Sequence, residues 1–275
     1  MLEIKDLAGL SEPLCRVIDC LYKGISSLAS PIVYRRMERS KMQIESNRAD
    51  QNAMISLKEA MAQDFITVAR TTRDKQEIAN ITAIYGMALQ ELQMVDALKL
   101  PEKQVSTEWA ACFYDNAKYC GDEEVQILWA RILAGEIQVP GSFYKRTLSN
   151  LRLVEKHEAE WFCDLCRYVI EGSYFPLFLL ENETIPFNHF QSLVDAGFVN
   201  AEQGRLTIEK DEIIPLKSQK IDVHCIGKGF NLPVYTLTDM GAQLVSLVQV
   251  ETDGEFLNEL IRIMNESKQI VVKVI

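Results

Sequence analysis

Cys163 and Cys166, in CDLC, are the pair whose type and spacing best suit chemistry, since two thiolates at C-x-x-C spacing can hold zinc or form a redox couple. Zinc needs two further ligands at comparable spacing, and the nearest candidates, His189 and Cys225, show none. A redox couple of this kind belongs beside a βαβ pattern, which does not accompany the motif. Helical spacing instead puts Phe162, Cys163, Cys166, Val169 and Ile170 on one apolar face, where free cysteine acts as a small hydrophobe. His157, His189 and His224 stand far apart with no recognisable nucleophile beside them, and Glu209 and Glu212 form a possible acidic pair near Lys210. There is no GxxxxGK[ST], GxSxG or HExxH, and IGKGF has too few glycines for a dinucleotide fingerprint. The sequence therefore predicts no metal site, no cofactor and no catalytic set. An effector enzyme, such as a nuclease, lacking a recognisable motif is one alternative.

The elements that must carry these residues begin with helices. Leu14, Val17, Ile18, Leu21, Ile25 and Leu28 recur at helical spacing between Pro13 and Pro31. The segment YRRMERSKMQIESNRADQ that follows is polar almost all round and contains the basic cluster Arg35, Arg36, Arg39 and Lys41, placed to meet a protein partner or an acidic lipid surface. Apolar character returns from Ala53 to Leu98 as one or two long helices, and Leu100-Pro101 marks a boundary. The domains expected are a helical region over 1–100, a helical hairpin domain over 101–180 and an α/β domain over 181–275.

The hairpin is written in EEVQILWARILAGEIQVPGSFYKRTL, residues 123–148. Asp122 is placed to cap a helix, with Glu123 and Glu124 at the positive end of its dipole. Val125, Leu128, Trp129, Ile132 and Leu133 make an apolar stripe, Gly135 falls near the helix end, and Pro140-Gly141 makes the turn. Ser142 then caps a second helix carrying Leu148, Leu151 and Val154. Trp129, Gly135, Pro140 and Gly141 thus have structural roles, leaving Glu136, Lys145 and Arg146 near the turn as partner-contact candidates. The run LWARILAGEI, then PGSF and RTLSNL, resembles an uncharacterised bacterial domain family allied to abortive-infection alpha proteins. That resemblance implies a bacterial or phage-related protein with a role in phage defence, and it carries over no catalytic residues.

The tail changes rhythm: a short helix over PFNHFQSLVDAGFV, strand-like RLTIE, IDVHCIG and PVYTL, a helix capped by Thr238, a last helix from Glu255 to Met264, and the β-prone QIVVKVI. The order of helix, strands and helix resembles a winged helix-turn-helix domain. The fold class expected is mainly α, with long N-terminal helices and a helical hairpin, and a C-terminal α/β winged-helix-like domain. Such a domain can read DNA, with Lys217, Lys220 and Lys228 as a basic wing, but the candidate helix Phe187 to Ala196 has no Lys or Arg. Residues 181–275 carry 8 Lys and Arg against 14 Asp and Glu, within a chain of net charge −10, which disfavours nucleic acid. A length of 275 residues, 48% of them apolar, suffices for a sizeable core. Seven cysteines at irregular spacing fit reduced thiols. The N-terminus lacks a signal-peptide pattern, no apolar run has transmembrane length, and peripheral membrane contact remains open through the first helix. These features predict a cytoplasmic interaction or regulatory protein that binds a protein partner and forms a homo-oligomer. A nucleic-acid-binding regulator is the second alternative.

Overall fold

The computed structural model of the chain describes residues 72–93 and 100–275, together with Arg16, Val17, Cys20 and Lys23. The chain divides into two compact units, Met1–Arg152 and Leu153–Ile275.

In the first unit α1 (Thr72–Gln93), α2 (Thr107–Ala117), α3 (Glu123–Gln138) and α4 (Lys145–Leu151) are helices. Their starts follow from local chemistry. Ser106 Oγ accepts the Trp109 amide and opens α2, and Asp122 Oδ1 accepts the Glu124 and Val125 amides and opens α3. Ile81, Ile84, Tyr85, Ala88 and Leu92 form the buried stripe of α1, which runs unbroken through Gly86. α3 packs along α1, and the short α4 packs on α2. Phe113 is the hub of the core: Trp109 stacks on it at 5.2 Å, and Trp129 and Tyr85 meet it edge-on at 5.4 and 6.0 Å. Each such ring pair adds about 0.5–1.5 kcal/mol beyond simple burial. Val17 and Cys20, both helical, are also buried.

The turn between α3 and α4 is held from inside. Glu136 is 2% exposed; its carboxylate accepts the Gly141 amide at 2.7 Å and the Phe143 amide at 3.0 Å. Gly141 has φ 101°, a left-handed conformation that glycine adopts without steric cost. Phe143 O in turn accepts the Trp109 indole N–H at 2.7 Å, tying the turn to α2. A Cβ at Gly135 would stand 2.8 Å from the Phe143 ring edge, so a larger residue there would force the ring to shift.

The second unit contains α5 (Lys156–Leu165), a 3-10 turn (Cys166–Tyr168), β1 (Tyr174–Pro176), α6 (Phe178–Glu181), α7 (Phe187–Asp195), β2 (Val199–Ile208), β3 (Glu212–Pro215), β4 (Lys220–Cys225), β5 (Phe230–Leu237), α8 (Asp239–Val245), α9 (Gly254–Glu266) and β6 (Ile270–Val274). The strands form two antiparallel three-stranded sheets, ordered β1-β5-β2 and β3-β4-β6. Period-2 alternation fixes the faces: Ile221 and Val223 point inward from β4 while Lys220, Asp222 and His224 are exposed. α9 packs against β6 with Leu260 and Met264 buried.

This architecture corrects the expected fold class. The described residues are 51% helix and 19% strand, with two small antiparallel sheets, so the chain is an α/β mixture rather than a mainly α protein with a winged-helix-like tail. RLTIE and PVYTL do lie on paired strands, β2 and β5, but IDVHC leaves them and joins QIVVKVI, beyond α8 and α9, in a second sheet. Alternation marks a strand and its buried face but does not choose its partner, which depends on long-range packing.

Candidate functional site

The site lies within the second unit, in a half-open groove of about 490 Å³. This is within the size range of small-ligand clefts. Successive turns of α5 place Trp161, Asp164 and Leu165 on one side, and the 3-10 turn adds Arg167 and Tyr168. The opposite side comes from Thr184, Ile185 and Pro186 before α7, then His189 and Leu193 on α7, with Asp253 at the start of α9. Leu165, Ile185 and Leu193 are buried and form the apolar base, while Asp164, Arg167 and Thr184 are exposed at the rim.

Its polar and aromatic groups are arranged in layers. The Trp161 ring stacks on His189 at 4.0 Å with 15° between planes, and His157 meets the same indole edge-on at 4.7 Å. Tyr168 is braced by Phe256 at 5.5 Å. Asp253 is fixed twice over, its amide donating to Arg167 O at 3.3 Å and its Oδ1 accepting the Phe256 amide at 2.9 Å. Arg167 Nε stands 3.8 Å from Asp164 Oδ1, beyond hydrogen-bond length, and both side chains are solvent-exposed. Burial raises the Tyr168 hydroxyl pKa, and the carboxylates of Asp253, Asp164 and Glu255 raise it further against the opposing pull of Arg167. At this hydroxyl the carboxylates thus outweigh Arg167. Flat rings and paired charges in a cleft suit the binding of a flat or charged group.

The residues singled out from sequence fall elsewhere. Arg35, Arg36, Arg39 and Lys41 lie outside the described residues. Glu136 faces inward, with both carboxylate oxygens engaged in the turn. Its burial raises its pKa, while the amides of Gly141, Phe143 and Ser142 and the Ser142 hydroxyl pull it back. Lys145 is exposed and pairs with Glu108 at 3.2 Å; Arg146 is exposed. Trp129 is 1% exposed, and Pro140 and Gly141 form the turn.

In the second unit Lys217 is half-buried and donates to Val245 O at 2.5 Å, and burial lowers its pKa. Lys220 and Lys228 are exposed, at the start of β4 and in the loop before β5. Cys166 is fully buried, which pushes its thiol pKa far up and leaves a poor nucleophile and ligand. Among the described residues no three His, Cys, Asp or Glu side chains gather in a metal-holding group. No helix among those residues is long and apolar enough to cross a membrane.

Two constellations were missed from sequence. The first is the groove, whose legible signal is Trp161 between His157 and Asp164 at i−4 and i+3 on a polar helix face. The second is Asp211, whose Oδ2 lies 2.5 Å from His224 Nδ1 while its Oδ1 accepts the Cys225 amide at 2.8 Å. These bonds lower the Asp211 pKa, the Cys225 amide foremost. The neighbouring Cys225 thiol is pushed up by burial and by Asp211, Glu212 and Glu209, so this cluster does not make an activated thiolate.

Curated proteins and solved structures give no match to the chain. Residues 67–174, which include the hairpin stretch and α5, match a protein family of unknown function, DUF2806, so this segment is similar to an uncharacterised domain family.

Proposed function

We propose that the protein is a non-catalytic interaction protein whose second unit receives a partner in the groove between α5 and α7. The observation that carries this reading is Trp161, an indole stacked on His189 in an open cleft whose rim bears Asp164 and Arg167. Partly exposed aromatic rings flanked by charges are the usual anchors of recognition surfaces. The setting we propose is bacterial phage defence, which rests on the likeness of LWARILAGEI, PGSF and RTLSNL to relatives of abortive-infection alpha proteins. Homo-oligomerisation belongs to the same reading.

The test is affinity purification of the tagged full chain from bacterial cells, with and without nuclease, for the wild type and for Trp161→Ala. A protein partner that survives nuclease, is retained by a distant surface variant such as Lys268→Ala, and is lost from Trp161→Ala supports the reading. Nucleic acid as the sole specific companion, released by moderate salt, overturns it. Phage plating on cells with and without the gene tests the defence setting, and light scattering on the purified chain tests assembly.

A further inference from the structure

We propose that the groove recognises an arginine side chain presented by a protein partner, with Asp164 as the carboxylate that receives the guanidinium and the aromatic walls of Trp161 and Tyr168 as the surfaces that flank it. This inference rests on the groove being a recognition site and adds the chemistry of its occupant.

Charge complementarity comes first. Two carboxylates, Asp164 and Asp253, line the groove against one guanidinium, Arg167. Asp253 already gives one oxygen to the Phe256 amide, so it supplies field rather than a two-pronged acceptor. Asp164 is different: at 72% side-chain exposure, with Arg167 Nε 3.8 Å away, its carboxylate has room for a bidentate pair. The weak Asp164 to Arg167 contact keeps the carboxylate at the rim without saturating it, and an incoming cation can replace it.

The aromatic walls favour a planar cation over a compact one. A guanidinium stacks on ring faces and presents its donors in a rigid fork, whereas an ammonium is a strongly hydrated point charge. Trp161 is held by a stacked contact with His189 and a T-shaped contact with His157, and Tyr168 is braced by Phe256, so both rings are positioned before any ligand arrives. Pre-positioned rings reduce the ordering cost of binding. An anion in the groove would meet two carboxylates, Asp164 and Asp253, against the single guanidinium of Arg167.

The experiment follows the indole N–H resonances of the ¹⁵N-labelled full chain, with the Trp161 signal identified by its loss in Trp161→Phe. The probes are N-acetyl-arginine amide, its neutral isostere N-acetyl-citrulline amide, N-acetyl-lysine amide and N-acetyl-glutamate amide, titrated at constant ionic strength. The expected result is a saturable shift of the Trp161 signal by the arginine probe, about tenfold tighter than by citrulline, as a charge-assisted bond predicts. Asp164→Asn, an exposed and nearly isosteric change, should remove that preference while leaving the indole spectrum of the free protein in place. Equal binding of citrulline or lysine, tighter binding of glutamate, or an arginine preference that survives Asp164→Asn overturns the arginine assignment and leaves the groove as a recognition site. No shift of the Trp161 signal with any probe removes both.

Discussion

Both units build an aromatic cluster around tryptophan and place a carboxylate beside it, yet the two clusters are finished differently. In the first unit Trp109 and Trp129 close on Phe113 and are 5% and 1% exposed, and the nearby Glu136 is occupied on both oxygens by the Gly141 and Phe143 amides. In the second unit Trp161 stacks on His189 at the wall of an open groove, and Asp164 meets its neighbour only at 3.8 Å. The same residue type is structural where both carboxylate oxygens are engaged within the fold, as at Glu136, and exposed where they are not, as at Asp164. This contrast sets an order of expected effects.

The largest belongs to Trp129. Truncating it to alanine removes the edge contact with Phe113 of α2 and leaves a cavity in the buried core, which should destabilise the protein by about 3–5 kcal/mol. Urea unfolding measures this directly. A stability unchanged from the wild type would mean that the first unit does not depend on the α3 stripe.

Next comes Gly135→Ala. The new Cβ would meet Phe143 Cε2 at 2.8 Å, and Phe143 is hard to displace because its amide donates to Glu136 and its carbonyl accepts from Trp109. Overpacking outweighs alanine's better helix propensity, and a net loss of about 1–2 kcal/mol is expected. A more stable variant would show that the turn can relax as a unit.

Glu136 itself gives a pH signature. Burial raises its native pKa above the ordinary carboxylate value, so the folded chain holds this proton where the unfolded chain has released it. The stabilising contribution of that protonation is complete below the unfolded pKa and is lost as pH rises through the folded one. Glu136→Gln lacks the slope, so the wild type should lose stability relative to the variant across that window. At neutral pH the lost amide bonds still cost the variant about 1–2 kcal/mol. Urea titrations of both proteins across a pH series check the sign, and a wild-type advantage that grew with pH would show the amide donors outweighing burial. Asp211, whose pKa is lowered, has the opposite sense: its contribution is present above the unfolded value and fades as pH falls through the folded one.

Glu136 also shows where the sequence was legible and was read only in part. Trp129, Ile132, Leu133 and Glu136 stand at i, i+3, i+4 and i+7 of α3, so helical phase already put the carboxylate on the buried stripe. Proximity to the Pro140-Gly141 turn pointed instead to a surface charge. Local signals served where the chemistry is local, for Asp122 caps α3, Thr238 caps α8, and RLTIE, IDVHC, PVYTL and QIVVKVI overlap strands. But Ser142, expected to cap α4, instead donates to Glu136 while Tyr144 holds the N-cap position, and the short β1 and β3 carried no alternation long enough to mark them. Partner choice was not local. The pairing of β4 with β6, and the meeting of Trp161, Thr184 and Asp253 at one groove, join residues far apart in sequence with no shared period or motif. The groove is thus a product of the second unit's tertiary packing, while its strongest clue, a tryptophan on a polar helix face, also fits a merely half-buried ring.

The smallest expected change in stability is at Asp164, and it sharpens the contrast most. Asp164→Asn removes a charge from an exposed rim position whose nearest cation is 3.8 Å away, so stability should stay within about 0.5 kcal/mol of the wild type. Glu136→Gln makes the same chemical change in the other cluster and should cost more, because there the carboxylate completes the turn. If unfolding shows the two variants equally destabilised, Asp164 belongs to the architecture of the second unit, and its exposure is no mark of recognition. If Asp164→Asn keeps its stability and loses its preference for a guanidinium, stability and recognition separate between the two carboxylates as their contacts predict.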